Sequence, residues 1–289
     1  VRKFAANTFG GALMSLDLSR YCQGLRLQED GVYRSDRIGQ KIHFPEGGHA
    51  VLEQIEDASF WFRHRNKCIA AIIKRHGCSG PLFDVGGGNG FVARCLANLG
   101  QDLVLVEPSP IGCLAARRRG LPAVINADFS GAGFLPGLVP AFGLFDVIEH
   151  VEDDLGFFRN LHEALAVGGK VYVTTPAYSW LWSDVDAVSG HFRRYNRTSL
   201  CKLATEAGLA VSYVTYFFQL LVPAVFSARV LAERLAVRPR RADSSQREHA
   251  PGVTARLLER LLAYEVLLLA SGRSLSFGSS LLMVATKED

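Results

Sequence analysis

Residues 83–90 read Phe83-Asp84-Val85-Gly86-Gly87-Gly88-Asn89-Gly90, and the apolar run Leu103-Val104-Leu105-Val106 ends on Glu107. Phe83-Asp84-Val85 has the character of a buried strand at its end. Gly86, Gly88 and Gly90 let the next turn run tight and let the backbone approach a ligand closely before a helix begins. That helix is predicted over Phe91–Leu99, with Gly100 as its stop. Leu103–Val106 is then a second buried strand, and Glu107 at its carboxyl end is placed to accept hydrogen bonds from two ribose hydroxyls. Strand, glycine turn, helix, strand and acid together specify a nucleoside site.

The dinucleotide fingerprint, G-x-G-x-x-G, is not met, because its third glycine position is Phe91. The observed spacing is Asp-x-Gly-x-Gly-x-Gly. A pyrophosphate binder has no evident need of Asp84 two residues before the first glycine, whereas a ligand carrying an ammonium group does. Here the chain resembles the class I S-adenosylmethionine-dependent methyltransferases, whose first motif has this form. The resemblance implies that Asp84, Gly86, Gly87, Gly88, Asn89 and Gly90 hold the methionine part of S-adenosylmethionine. It places the ribose on Glu107 and Pro108.

Composition sets the outer bounds. A chain of 289 residues, 48% apolar with ordinary charge, suits a folded α/β domain with or without an added subdomain. A formal charge of +4 is too small to argue for nucleic acid. The six cysteines are scattered without a C-x-x-C pair or a histidine at ligand spacing, which is read as reduced thiols in a cytosolic protein.

Strands are predicted at 82–85, 103–107, 123–126, 141–146 and 170–174, with helices between them such as Ile111–Arg119 and Asp154–Ala166. Such alternation argues for a parallel sheet with helices on both faces and ligands at the carboxyl ends of the strands. With the resemblance, the expected fold is an α/β, Rossmann-like, mostly parallel seven-stranded sheet. An antiparallel last strand closes it, with helical additions at the N- and C-terminal sides.

Upstream, residues 1–57 are mixed in character and are set apart as an N-terminal extension or lid. Ile55–His76 is expected as one helix carrying Phe60-Trp61-Phe62-Arg63-His64-Arg65-Asn66. Trp61, Arg65 and Ile69 recur at four-residue spacing and share a face. The bland account puts the aromatics on the core stripe. A similar aromatic-Phe-Arg helix in bacterial methyltransferases implies instead a lid, with Phe62 or Trp61 near the sulfonium and Arg65 near a carboxylate.

Three loops follow strands at the ligand edge. After the third strand, the resemblance puts Asp128 and Phe129 beside the adenine, while Asp128 is equally well suited to form a turn. After the fourth come Phe145, Asp146, Glu149 and His150. Asp146, Glu149 and His150 stand at i, i+3 and i+4, one side of a helical turn. His150 suits a general base. The ubiquinone-pathway O-methyltransferases have a similar acid-x-x-Glu-His run, associated with metal there. No metal is assigned, since magnesium prefers all-oxygen shells, and Asp146, Glu149 and His150 stay as the minor alternative. After the fifth, Tyr178, Trp180 and Trp182 and then His191-Phe192-Arg193-Arg194-Tyr195 make an aromatic, cationic wall for an acceptor. His191 and Tyr195 are expected to act together in proton transfer. Arg193 and Arg194 are expected to contact substrate. Phe62, Phe145 and Trp180 can face a sulfonium.

Leu209–Phe217 fits a sixth strand and Ser280–Thr286 the closing one. Residues 218–277 between them are far more than a hairpin needs and include the apolar helices Phe218–Ala236 and Thr254–Ser271. The core is therefore drawn as 58–217 plus 278–289, and 218–277 as an apolar helical insertion. It serves as acceptor lid, dimer contact or membrane surface. Arg229, Arg234, Arg238, Arg240 and Arg241 make peripheral membrane contact conceivable.

The function read from these residues is methyl transfer from S-adenosylmethionine to a hydroxyl, amine or carbon of a small, apolar or glycan-linked acceptor. His150, His191 and Tyr195 are the candidates for proton handling. Two alternatives remain at this level: an NAD-dependent oxidoreductase, and a non-catalytic nucleoside-binding or membrane-docking protein.

Overall fold

The computed structural model describes residues 16–35, 37, 48–227 and 253–289. The five arginines named above and residues 228–236 of the helix expected at 218–236 lie outside them, as does much of residues 1–47.

The strands are β1 (Leu25–Leu27), β2 (Tyr33–Ser35), β3 (Leu82–Val85), β4 (Leu103–Val106) and β5 (Val124–Asn126). They continue with β6 (Val139–Phe145), β7 (Leu165–Pro176), β8 (Leu209–Phe217) and β9 (Ser280–Lys287). All nine form one sheet in the order β1-β2-β5-β4-β3-β6-β7-β9-β8. Neighbours from β2 to β7 in that order are parallel. Strand β9 runs antiparallel to both β7 and β8, and β1 runs antiparallel to β2. The expected seven strands are thus corrected to nine among the described residues. The two extra come from the N-terminal extension, where β2 pairs with β5 through Tyr33–Ile125 and Arg34–Asn126.

The helices are α1 (Gly48–Ile55), α2 (Phe60–His76), α3 (Phe91–Ala97), α4 (Pro110–Arg118), α5 (Asp154–Ala164), α6 (Asp184–Val188), α7 (Arg197–Glu206), α8 (Val222–Val225) and α9 (Val253–Ala270). Alternation along the buried strands splits the apolar core in two. Phe83, Val85, Val104 and Val106 join Phe158 and Leu161 of α5 and Leu200 and Leu203 of α7 on one face. Leu82, Leu103 and Leu105 join Ile69 and Ile72 of α2, Leu96 of α3 and Leu262 and Leu269 of α9 on the other. Each face therefore carries its own helices.

The single helix expected from residue 55 to residue 76 is broken. Chain polarity changes at Glu56–Ser59, where Ser59 takes the extended conformation that starts α2. The break frees α1 to turn over α4, held by Arg118–Glu53 at 3.0 Å, Arg119–Glu56 at 2.9 Å and Arg119–Asp57 at 3.0 Å. Among the described residues, no helix is long and apolar enough to cross a membrane.

Candidate active site

The glycine turn leaves β3 toward α3 with Gly86, Gly88 and Gly90 all at positive φ. Gly87 is needed for a different reason: a Cβ there would stand 2.5 Å from Leu105 Cδ1 and 2.7 Å from Asp84 Oδ2. The turn thus packs directly onto the Asp84 carboxylate. That side chain is wholly buried, and neither of its oxygens has a hydrogen-bond partner among the described residues. Burial pushes the carboxyl up to about 7, with Arg65 opposing and Glu107 adding to the shift. A buried acid in this state either keeps its proton or is bonded by a cation.

Glu107 lies across the turn. Its Oε2 accepts from the Gly88 amide at 2.9 Å and its Oε1 from the Ser109 amide at 2.7 Å. A carboxylate has about four acceptor positions, so two remain for hydroxyls. Burial raises this carboxyl also to about 7, against the two amides. His49 of α1 closes over it, with Nε2 3.7 Å from Glu107 Oε1 and Nδ1 3.3 Å from Asn89 Oδ1. Asn89 Nδ2 in turn donates to the His49 carbonyl at 2.8 Å. Sequence reasoning missed His49, because nothing local to Gly48-His49 signals a partner forty residues away. Pro108 has a plain structural part, accepting from Asn126 Nδ2 through its carbonyl at 2.9 Å.

Helix α2 brings Arg65 to the same edge. Its guanidinium bonds the Asp146 carboxylate and lies 5.2 Å from the Phe62 ring centroid. Asp146 also accepts from Thr174 Oγ1 at 3.0 Å. Asp146 at φ 60° and Tyr178 at φ 59° are two of the three described non-glycine residues in left-handed backbone. They stand just past the ends of β6 and β7, and such strain collects where a fold aims side chains for use. Trp61 is turned elsewhere, stacked on Phe218 at 3.9 Å, so it is corrected from a sulfonium contact to a packing residue.

The expectation that Asp146, Glu149 and His150 share one helical side also fails. Asp146 lies outside the short 3-10 turn Ile148–His150, and its oxygens are spent on Arg65 and Thr174. The structure instead brings together Glu149, His150 and His191, with one ligand-capable atom of each lying within 4.8 Å of the others. Glu149 Oε2 accepts from Thr175 at 3.2 Å, while Oε1 has no partner among the described residues. Burial, helped by Asp146, raises the Glu149 carboxyl well above the carboxylate range. The set offers one oxygen and two nitrogens, and Glu149 would join it only as its ionised carboxylate. His150 is pushed down to about 4 by burial and by His191 beside it. The two imidazoles meet edge to face at 4.7 Å.

Other members of the expected acceptor wall are consumed by the protein. Arg193 pairs with Asp154 at 2.7 Å. Arg194 is buried, donating to Asp186 through Nε at 2.7 Å and to the Ala177 carbonyl at 3.1 Å. Both are thus ion-pair partners within the chain. Tyr195 donates its hydroxyl to Asp154 at 2.7 Å and is buried. Residues 191–194 are not helical, so the four-residue spacing does not set Tyr195 and His191 on one helical side. Asp128 forms a turn, accepting from the Gly131 amide at 2.6 Å and Ser130 Oγ at 3.0 Å. Phe129 packs among Phe134, Phe142 and Phe157. Phe145 is buried in the α2-side core. Tyr178 stacks between Tyr216 at 5.0 Å and Trp180 at 5.4 Å, and Trp180 remains 43% exposed. Trp182 stands 6.5 Å from His191.

This is the fold and ligand edge of a class I S-adenosylmethionine-dependent methyltransferase domain. A family model described as a methyltransferase domain matches residues 60–214, more than half of the chain, and the chain belongs to that family. It is 28% identical over 156 residues to the ubiquinone biosynthesis O-methyltransferase of Azorhizobium caulinodans, covering 50% of this chain and 60% of that protein. To the enzyme of the same name from Methylocella silvestris it is 26% identical over 160 residues, covering 50% and 62%. The match thus spans about three-fifths of either relative. A solved complex of the Haloferax volcanii Trm112 methyltransferase activator with its methyltransferase aligns over 84% of this chain and 96% of that one. Its TM-score is 0.56 at 15% identity, a likeness of fold.

Proposed function

We propose that this chain transfers a methyl group from S-adenosylmethionine to a hydroxyl of a small, apolar acceptor. When bound, S-adenosylmethionine supplies a methyl already activated by its sulfonium. The observation that carries the reading is Asp84: a fully buried carboxylate with both oxygens unpartnered among the described residues, beneath a glycine turn and beside Glu107. Those residues fit the donor. Asp84 would take its ammonium, the turn amides its carboxylate end, and the two open acceptor positions of Glu107 its ribose.

The rest of the chain's work is positioning and proton handling. Arg65 holds Asp146 at the end of β6, and Phe62 beside it offers an aromatic face to positive charge. Helix α1, whose His49 stands over Glu107, is suited to cover the nucleoside side. The exposed ring of Trp180, stacked with Tyr178 and near Phe277 at 6.5 Å, favours a flat or greasy acceptor. His150 and His191 are the residues able to accept a hydroxyl proton. The relatives' name, O-methyltransferase, supports oxygen over nitrogen or carbon as the atom methylated.

Calorimetry with S-adenosylhomocysteine and with NAD tests the donor assignment, and saturable binding of NAD alone would overturn it. Incubating the protein with methyl-labelled donor and a lysate of its source cells identifies the acceptor. A label that enters only amines would refute O-methylation.

A further inference from the structure

We infer that His191 is the base that receives the acceptor's proton and that Asp186, locked by Arg194, is the residue that aims it. The inference rests on the methyl-transfer reading above. Asp186 belongs to the short helix α6 and is 1% exposed. Its Oδ1 accepts from His191 Nδ1 at 2.8 Å and from Arg194 Nε at 2.7 Å. Its Oδ2 accepts from a second Arg194 nitrogen at 2.9 Å, from the Ser183 amide at 2.9 Å and from Ser183 Oγ at 3.3 Å. Burial alone would raise this carboxyl, but the bonds from His191 and Arg194 outweigh it and hold the group below the usual carboxylate range.

An ionised carboxylate can only accept. The hydrogen on the His191–Asp186 contact is therefore carried by Nδ1, and the lone pair of the neutral ring falls to Nε2. A backbone bond from the His191 amide to the Asp186 carbonyl at 3.0 Å fixes the same segment. Arg194 ties the pair to the end of β7 through Ala177, and the Phe192 amide ties it to the Glu149 carbonyl at 2.7 Å. The His191 ring is thereby set against His150 at the ligand edge, and its side chain keeps 13% of its surface open.

The chemistry balances without a further reactant. The acceptor's X–H bond gives its proton to His191 Nε2. The electron pair left on X closes the new carbon–X bond as the carbon–sulfur bond of S-adenosylmethionine breaks, with its pair kept by sulfur. The imidazolium is stabilised by Asp186 and afterwards returns its proton to water.

The test is a long-range proton–nitrogen NMR correlation of the full-length protein labelled with ¹⁵N at histidine, with an H191N variant to assign the signal. The expected result is the Nδ1–H tautomer at His191, lost or mixed in D186N. That variant keeps the side-chain size and an acceptor for Arg194. The Nε2–H tautomer in the unmodified protein would overturn the inference. So would a D186N spectrum unchanged at His191, or saturable one-to-one broadening of His191 by manganese, which would assign the lone pair to an ion. Binding of S-adenosylhomocysteine by D186N is expected within about twofold of the parent protein. Its absence in the parent as well would sink the donor reading instead. Once an acceptor is in hand, D186N is expected to lower kcat by roughly a hundredfold with KM for the donor unchanged.

Discussion

Asp84 is buried with both oxygens unbonded among the described residues, and in the proposed function this one residue works against the fold on behalf of a ligand. Its carboxyl titrates near 7 in the folded chain, against 3.8 when exposed. Between about pH 4 and pH 7 the unfolded chain has released a proton that the folded one keeps. Stability therefore falls as pH rises across that window and levels off above it. Asp84→Asn removes the buried charge but leaves an amide with unmet hydrogen bonds. The expected net gain for the ligand-free protein at pH 8 is about 1–2 kcal/mol, or roughly 3–6 °C in Tm by thermal denaturation. The same variant should bind S-adenosylhomocysteine at least roughly tenfold more weakly, since it loses charge-assisted hydrogen bonds. A variant that is both less stable and unimpaired in binding would show that Asp84 is structural. In the unmodified protein, affinity should climb between pH 6 and pH 8 as Asp84 ionises, and calorimetry should find that climb absent in Asp84→Asn. Asp84, the glycines and Glu107 were legible in the sequence because their spacing alone places them. Arg193, Arg194 and Tyr195 were not, because what decides their roles is Asp154 and Asp186, acids that only the folded chain sets beside them.

At the scale of elements, α2 delivers Phe62 and Arg65 to the ligand edge, and its own position is set from behind by α9. Glu265 on α9 is buried and accepts from the Phe218 amide at 2.8 Å and the Gln219 amide at 2.6 Å. It also meets His64 of α2 at 3.0 Å. Phe218 stands in left-handed backbone at φ 60°, a conformation that this double acceptance by Glu265 helps to hold. One carboxylate thus joins the end of β8, the helix 47 residues later and the helix that carries Arg65. Replacing it with alanine leaves two buried amides and an imidazole unmet. Glu265→Ala is expected to cost about 3–5 kcal/mol in chemical denaturation. It should also weaken S-adenosylhomocysteine binding although Glu265 lies outside the nucleoside site. A loss under about 1 kcal/mol would mean the junction is held by apolar packing alone. The helices themselves were readable from their caps and apolar spacing, α4, α5 and α9 to within two residues at either end. The break between α1 and α2 was not. Its cause is the attraction of Glu53, Glu56 and Asp57 to arginines on α4, which no local pattern reveals.

Across the whole molecule, the seven strands β3 to β9 announced themselves as apolar runs bounded by glycine and polar turns. Strands β1 and β2, three residues each and charged at Arg26 and Arg34, have no such pattern and exist by pairing along β5. The parallel part of the sheet places the ends of β3, β4, β6 and β7 in a row, so one ligand bound as proposed would touch groups set by four strands and two helices. A ligand with that reach stabilises the fold as a unit rather than one loop. At a hundredfold excess over its Kd it should add about 2.7 kcal/mol, which for a chain of this size is roughly 5–10 °C in Tm. S-Adenosylhomocysteine should produce that shift, and more of it at pH 8 than at pH 6, because the Asp84 and Glu107 carboxyls both ionise near 7. NAD at equal concentration should produce none, since a pyrophosphate brings negative charge toward Asp84 with no cation to meet it. Equal shifts from the two would mean that the sheet edge reads only adenosine, and that Asp84 plays no part in choosing between them.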